Sequence, residues 1–301
     1  GGGLFGDPGP TEPETLGPGL DLPTAAPVLR QVAVGSHPDL HVLTPGRAGS
    51  GRSGTEITVD QVRAAVGFCA MTPAQAAWRV VVVDSAEAMN ANAANALLKV
   101  LEEPPPRALV LLVSHAPARL LATLRSRCAK LALAALPEAT VVRRLGALRP
   151  ELAGEDRTAL ARLAEGSIGQ ALALADAGGL DLYRELVALL AAMPEPDRDR
   201  LHALGERLNE SGEGGAFRLG GELLGWWLAR LVRTGATGTL PPEVVAGEAE
   251  ALHRLLNRAA LEQWLELWEK SARLIDQAEQ RHLDRKQVVL TLFLDIAART
   301  A

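Results

Sequence analysis

Cysteine is nearly absent from this chain, and long apolar runs and an excess of positive charge are absent too. The only two cysteines among 301 residues are Cys69 and Cys128, which excludes a four-thiolate zinc site or a disulfide framework and favours a reducing, cytoplasmic compartment. No uninterrupted apolar run reaches the length of about 18 residues that a membrane-spanning helix needs, so we predict none. The formal net charge of −5 excludes a nucleic-acid contact spread over the whole surface, and any such contact must be local.

Apolar residues, by contrast, make up 48% of the sequence, which is enough for packed cores. The length predicts two or three domains. Residues 1–23 are rich in Gly, Pro and Glu and are expected to form a flexible segment. We predict an N-terminal segment with a short helix, an α/β core and two helical domains, with these bounds: 1–36, 37–135, 136–179 and 180–301.

The most informative stretch runs from residue 79 to residue 133. RVVVVD predicts a strand buried on both faces, which ends at Asp84. A helix follows from Ala91 to about Glu103, where three prolines stop it. A second apolar run ends in Ser114 and His115 and predicts another parallel strand. Acidic and polar residues at such strand ends are where open α/β sheets place their ligand chemistry.

A basic segment comes next, and we expect it to end in a third strand near residue 133. Its four cations lie in a region without any acidic residue between Pro104 and Pro137, and so predict a local positive patch on an acidic protein. They are Arg119, Arg125, Arg127 and Lys130.

Two further patterns have two possible interpretations each. Gly46–Gly54 matches the spacing of a phosphate loop, but Pro45 interrupts its entry and the residues up to Ile57 delay the next helix, which favours a solvated loop. That helix is predicted from Val59 to Phe68, with Thr58 as its N-cap. Tryptophans in the last domain share helix faces with leucines, which favours core or subunit-interface packing over base stacking.

The order of these motifs resembles the clamp-loader branch of the AAA+ ATPases. The resemblance rests on a strand ending in Asp84, then NALLKVLEEPP, a strand ending in Ser-His, and LLATLRSRC, and it is clear from about residue 37 to residue 174. It implies an AAA+ parallel-sheet module whose phosphate-loop segment would lie upstream of this sequence. It also implies that 136–179 is a helical lid and that 180–301 is the oligomerisation collar of a five-subunit ring.

The resemblance further implies a degenerate nucleotide site. Ser85 follows Asp84 where the family usually has a water-polarising Glu, and Glu87 is expected to face solvent. Gly169 stands where the family has a phosphate-contacting Arg. Ser114 is either the family's polar sensor or an ordinary serine at a strand end. The expectation is that this chain binds neither a cofactor nor a metal, and that ATP and Mg²⁺ are bound by neighbouring subunits.

One element of the family's chemistry is retained in this sequence. By resemblance, Arg127 of Ser-Arg-Cys acts in trans on the γ-phosphate bound by a neighbouring ATPase subunit, whereas the alternative is a solvated or ion-paired turn. Cys128 is interpreted as a buried apolar residue, and the basic patch is assigned to DNA or to a subunit interface. The implied partners are gamma/tau and delta clamp-loader subunits, the sliding clamp and primed DNA, without a membrane. The alternatives are an ATP-hydrolysing subunit of gamma/tau type and a helical scaffold unrelated to replication.

Overall fold

The chain divides into two compact units, residues 1–132 and 133–301, in a computed structural model. The structure describes residues 26–46, 56–210, 215–281 and 283–300. The predicted flexible segment 1–23 and nearly all of the glycine-rich loop 46–54 lie outside the described residues, so their predictions stay untested.

The first unit is an α/β unit built on a three-stranded parallel sheet, as the sequence predicts. The strands are hydrogen-bonded in the order β1-β2-β3, and Val81 of the central strand lies opposite His41 and Val110. The elements are α1 (Pro27–Ala33), β1 (Leu40–Leu43), α2 (Val59–Cys69), β2 (Arg79–Val83), α3 (Ala91–Glu102), β3 (Ala108–Leu112) and α4 (Ala122–Arg125).

Local sequence signals set the ends of the two helices that pack in this unit. Thr58 and Gln61 form a reciprocal capping box at the start of α2, which confirms the predicted N-cap. At the start of α3, the Asn90 side chain accepts a hydrogen bond from the backbone N–H of Ala93 at 2.9 Å. The helix ends at Glu102, directly before the prolines that cannot continue its hydrogen bonding.

Over the described residues, β2 is fully buried on one face and half-buried on the other, so the prediction of a strand buried on both faces is confirmed for one face. Side chains of β2 alternate between buried and half-buried, with Val81 and Val83 fully buried in the core beside α2 and α3. On the other face, Leu109, Leu111 and Val42 are 43%, 44% and 42% exposed. Four consecutive valines do not reveal how many faces are covered, because that depends on which helices pack there.

The third strand expected near residue 133 is also absent from the described residues. Residues 128–137 contain no strand, and the Leu131 side chain is 83% exposed. A strand needs a neighbouring ladder for its N–H and C=O groups. β3 is an edge strand of the described sheet, and its one described partner is β2, so residues 128–137 have no ladder to join there.

Asp39 organises the connection between α2 and β2, a role that sequence analysis did not identify. Its buried carboxylate accepts hydrogen bonds from the backbone N–H groups of Ala74, Gln75 and Ala76 at 2.6 to 2.7 Å. The Arg79 guanidinium lies 3.6 Å from the same carboxylate. Burial raises the pKa of Asp39, but the three N–H groups and Arg79 outweigh it and lower the pKa to about 2.

The buried carboxylate of Asp39 should make the stability of the protein sensitive to acid. Because the pKa of Asp39 falls on folding, its stabilisation is fully present above the unfolded value of about 3.9 and is lost as the pH falls towards 2. We expect the urea unfolding midpoint of wild type to fall more between pH 5 and pH 2 than that of Asp39→Asn. Parallel pH profiles of the two proteins would contradict this assignment.

The second unit is entirely helical over its described residues and has one continuous hydrophobic core. Trp227 and Trp264 are fully buried there, which confirms core packing for these two, whereas Trp268 is 38% exposed. The helices are α5 (Glu138–Leu148), α6 (Gly154–Leu163), α7 (Ile168–Asp176), α8 (Gly179–Ala191), α9 (Arg198–Glu210), α10 (Gly215–Thr237), α11 (Glu248–Leu256), α12 (Leu261–Arg281) and α13 (Arg285–Thr300).

The predicted lid and collar both contribute to this core. Leu160 and Leu174, before the predicted boundary at residue 179, belong to the same buried cluster as Trp227 and Trp264 after it. The boundary itself stays a prediction. Across the described ranges, no helix has the length and apolarity required to cross a bilayer.

Candidate functional site

Polar residues follow β2 and β3 at the same edge of the sheet. Asp84 comes directly after β2, and its backbone N–H donates to the carbonyl of Leu43. Ser85 then adopts the left-handed conformation, with φ 60° and ψ 57°, which turns the chain into a short 3-10 segment. The backbone N–H of Ala86 donates to the carbonyl of Val113, which joins this turn to the end of β3. The predicted position of Asp84 at a strand's carboxyl end is therefore observed.

Glu87 was expected to face solvent, but it is half-buried and contacts the segment that follows β3. Its Oε1 accepts a hydrogen bond from the backbone N–H of His115 at 3.2 Å. Burial raises the pKa of the Glu87 carboxyl, but its own backbone N–H, the Ser114 side chain and His115 outweigh it, so the pKa lies below its ordinary value. Sequence spacing alone could not show this contact, because it joins residues separated by 28 positions.

Ser114 lies at the predicted strand end, where its hydroxyl accepts a hydrogen bond from the backbone N–H of Ala116 at 3.3 Å. This contact is typical of a serine that stabilises a turn after a strand. The structure thus brings Asp84, Ser85, Glu87 and Ser114 to one edge of the sheet.

Arg127 lies two residues beyond α4 and forms an ion pair, as the alternative interpretation of an ion-paired turn predicts, with a partner that sequence analysis did not identify. Its Nε and Nη2 atoms lie 2.6 Å and 2.5 Å from Oε1 of Glu102, the last residue of α3. Its Nη1 donates to the carbonyl of Thr123 at 3.0 Å. The side chain of Arg127 remains 35% exposed. The sequence offered a partial signal, since Glu102 and Glu103 both stand just before the acid-free segment that contains the arginines.

The other three cations of the basic patch are exposed and have no carboxylate partner among the described residues. Arg125 donates to the carbonyl of Pro117 at 3.4 Å. Arg119 ends a short 3-10 turn, and Lys130 lies in the irregular segment that follows. Arg127 is thus the one member of this patch that is held by a carboxylate within the described ranges.

Cys128, beside Arg127, is half-buried and not fully buried as expected. Burial raises the pKa of its thiol, which disfavours the thiolate and agrees with the prediction that it is no nucleophile. Within the described ranges, no three His, Cys, Asp or Glu side chains are grouped in a way that could hold a metal ion.

Gly169 lies in the first turn of α7, in the second unit. The helix is capped by Ser167, whose hydroxyl accepts a hydrogen bond from the backbone N–H of Gln170. A Cβ atom added to Gly169 would meet only the Ser167 hydroxyl, at 4.0 Å. A larger residue would therefore fit at this position, and the glycine is not required by packing.

Alanine substitutions at Gly166 and Gly169 should have opposite effects on stability. We expect Gly169→Ala to stabilise the protein by about 0.5 to 1 kcal/mol, because alanine restricts the unfolded chain without a clash in the helix. Gly166→Ala should destabilise it, because Gly166 has φ 89° and an added Cβ would lie 2.7 Å from backbone atoms of Leu136. Thermal unfolding of the two variants tests this, and shifts of the same sign would contradict it.

Part of the chain is similar to known proteins, and the chain spans less than half the length of the curated relatives it matches. Residues 22–137 match the family model described as DNA polymerase III, delta subunit. The subunit delta' of DNA polymerase III from Pseudomonas aeruginosa is 52% identical over 97 residues, which are 32% of this chain and 28% of that protein. Residues 22–137 thus resemble this family of DNA polymerase III subunits.

Further relatives include two types of DNA polymerase III subunit, delta' and tau. Escherichia coli subunit delta' is 40% identical over 141 residues, covering 46% of this chain and 40% of that protein. Escherichia coli subunit tau is 38% identical over 108 residues, covering 35% of this chain and 17% of that protein. The matched segment thus spans well under half of the length of each of these relatives.

A solved structure also aligns with the chain. It is a gamma subunit-related DNA polymerase III protein from Thermotoga maritima, with a TM-score of 0.43 and 21% identity over 88% of this chain and 84% of that one. Because the TM-score and the identity are both low, no conclusion is drawn from this alignment. The family match, the parallel sheet and the helices that follow agree with the AAA+ clamp-loader fold that the motifs predict.

Proposed function

We propose that this chain is a clamp-loader subunit of the DNA polymerase III holoenzyme that does not hydrolyse ATP itself. It supplies Arg127 to the ATP bound by a neighbouring subunit while the sliding clamp is loaded onto primed DNA. Its partners are gamma/tau and delta subunits, the clamp and, through the assembled complex, the DNA. The complex is a cytoplasmic hetero-oligomer in which ATP and Mg²⁺ are bound by the neighbours.

The observation that carries this proposal is the state of the Arg127 guanidinium. Nε and Nη1 each donate one hydrogen bond, to Glu102 and Thr123, and Nη2 lies 2.5 Å from Oε1 of Glu102, which leaves N–H groups on Nη1 and Nη2 without a described acceptor. Two such groups at the outer end of a planar cation match two oxygens of a phosphate. A rigid, permanently charged group of this kind is suited to stabilise the charge that develops during phosphoryl transfer.

The local chemistry at the sheet edge supports the absence of ATP hydrolysis. Ser85 offers a hydroxyl where a water-polarising carboxylate would be needed. The next carboxylate after Ser85 along the chain is that of Glu87, whose Oε1 accepts a hydrogen bond from the backbone N–H of His115. Gly169 has no side chain with which to contact a phosphate, although its surroundings would admit one.

Reconstitution tests the proposal. The chain should copurify with the gamma/tau and delta subunits of its own organism, and its omission should abolish ATP-dependent clamp loading on primed DNA. The isolated chain should bind no ATP in equilibrium dialysis. Failure to assemble with these subunits would instead support a helical scaffold outside replication.

The similarity to subunit tau favours one alternative, an ATP-hydrolysing subunit of gamma/tau type. That alternative predicts Mg²⁺-dependent ATP turnover by the isolated chain, which the missing carboxylate after Asp84 disfavours. The other three cations of the basic patch, Arg119, Arg125 and Lys130, are assigned to DNA phosphates or a subunit interface. Steep weakening of DNA binding with rising salt, reduced in Lys130→Ala, would favour the phosphates.

A further inference from the structure

The ion pair between Glu102 and Arg127 joins two segments that are separated by 25 positions. The carboxylate approaches the side of the guanidinium, since Oε1 lies 2.6 Å from Nε and 2.5 Å from Nη2. The carbonyl of Thr123 accepts from Nη1 at 3.0 Å. Contacts to all three nitrogens of a planar group leave it little rotational freedom, so its outer end has a defined direction.

This contact contributes little to folding. The side chains of Glu102 and Arg127 are 49% and 35% exposed, and ion pairs that exposed are weakened by water and salt. A carboxylate at the end of α3 also faces the negative end of the helix dipole, which disfavours it there. The arginine compensates for that unfavourable position. The main consequence of the pair is therefore the orientation of Arg127.

Glu103 provides a comparison within the same motif. It follows Glu102 directly and is exposed, yet the described residues include no ion pair with it. Both glutamates have the same charge and nearly the same distance from the three prolines. Only Glu102 lies beside the guanidinium.

We propose that Glu102 is a positioning residue, which holds the guanidinium of Arg127 so that its two free N–H groups face the γ-phosphate of the neighbouring subunit. The inference rests on the proposed function and adds to it the residue that orients the arginine. Without Glu102 the long arginine side chain would sample several rotamers, and the correct orientation would have to be found during each reaction.

The test measures ATP hydrolysis in the first turnover of the reconstituted clamp loader with clamp and primed DNA. Comparison with Arg127→Ala shows which part of this first-turnover hydrolysis depends on Arg127. Glu102→Ala should slow that part by roughly 10-fold to 100-fold, as for other groups oriented by a neighbouring hydrogen bond. The KM for ATP should stay within about twofold, because ATP is bound elsewhere. Glu102→Gln, which keeps the shape and one acceptor oxygen, should lose less.

Matched variants make the outcomes distinct. Glu103→Ala should behave like wild type, and Glu102→Ala should have no further effect in the Arg127→Ala background. All variants should keep the thermal unfolding temperature of wild type, because the pair contributes little to folding. Equal activities of Glu102→Ala and Glu103→Ala would overturn the inference. A faster first turnover in Glu102→Ala would also overturn it, because Glu102 would then restrain the arginine. If Arg127→Ala itself removed no part of this hydrolysis, the proposed function would fail and this inference with it.

Discussion

Replacing Arg127 with alanine is expected to slow ATP hydrolysis at the site that this residue faces by roughly 10³-fold or more. The physical reason is that the transition state of phosphoryl transfer spreads negative charge over the phosphate oxygens, and a guanidinium held nearby stabilises that charge more than the ground state. Complexes containing Arg127→Ala should therefore hydrolyse less ATP in the first burst after addition of clamp and primed DNA, measured by rapid quench.

Arg125→Ala is the matched control for this experiment. Arg125 and Arg127 flank Ser126 on one exposed turn, but Arg125 contacts only a backbone carbonyl, at 3.4 Å, and has no described carboxylate partner. Loss of Arg125 removes the same charge from the same segment without removing the oriented group. An Arg127→Ala complex with an unchanged burst would remove Arg127 from the mechanism, and equal losses in both variants would point to general electrostatics instead.

Glu248→Ala is expected to have the largest effect on stability, with a loss of roughly 3 to 5 kcal/mol in the free energy of unfolding. Glu248 is fully buried and accepts hydrogen bonds from the Tyr183 hydroxyl at 2.5 Å and the Val244 backbone N–H at 2.7 Å. Arg230, with a side chain only 9% exposed, lies 3.1 Å from the same carboxylate. Removal of Glu248 would leave a buried cation and two buried donors without their acceptor.

The state of Tyr183 agrees with this arrangement. Burial, the nearby negative charge of Glu248 and the hydrogen bond to it all raise the pKa of the tyrosine hydroxyl, so it remains a donor. Arg230 is further held by the carbonyl of Pro242 at 2.8 Å and by the ring of Trp226, whose centroid lies 4.5 Å away. The cluster therefore joins α8, α10 and α11 through groups that are largely shielded from water.

Glu222→Ala is the control for Glu248→Ala. Glu222 also pairs with an arginine of α10, Arg218, at 2.9 Å, but the two side chains are 52% and 68% exposed. Its loss should change the free energy of unfolding by no more than about 1 kcal/mol. Urea unfolding followed by tryptophan fluorescence measures both variants, and similar midpoints for the two would show that burial does not amplify the effect of the buried pair.

Much of the fold could be predicted because its signals are local. The β-branched run at 79–83, the capping residue Thr58 and the prolines after Glu103 each act within a few positions, and the observed elements begin and end there. Asp84 was correctly placed at a strand end for the same reason. The errors concern contacts with other segments: Glu87 binds the end of β3, and residues 128–133 form no strand without a neighbour.

The candidate site divides in the same way. The family resemblance singled out Arg127, Ser114 and Gly169, but could not supply the acceptor that holds the arginine. Glu102 and Glu103 are chemically equivalent in the sequence, and only the packing of α3 beside α4 places one of them against the guanidinium. The same applies to Asp39, whose three backbone donors come from residues 35 to 37 positions away.

The sequence by itself determined the order of strands and helices, most of their ends, and the motifs that resemble those of clamp-loader subunits. It could do so because helix caps, proline stops and β-branched runs act over short distances along the chain. Only the tertiary structure decided which charges are paired and which sheet face is covered. The pairs Glu102 with Arg127 and Glu248 with Arg230 depend on the approach of distant segments, and their strength depends on burial, which no local pattern specifies.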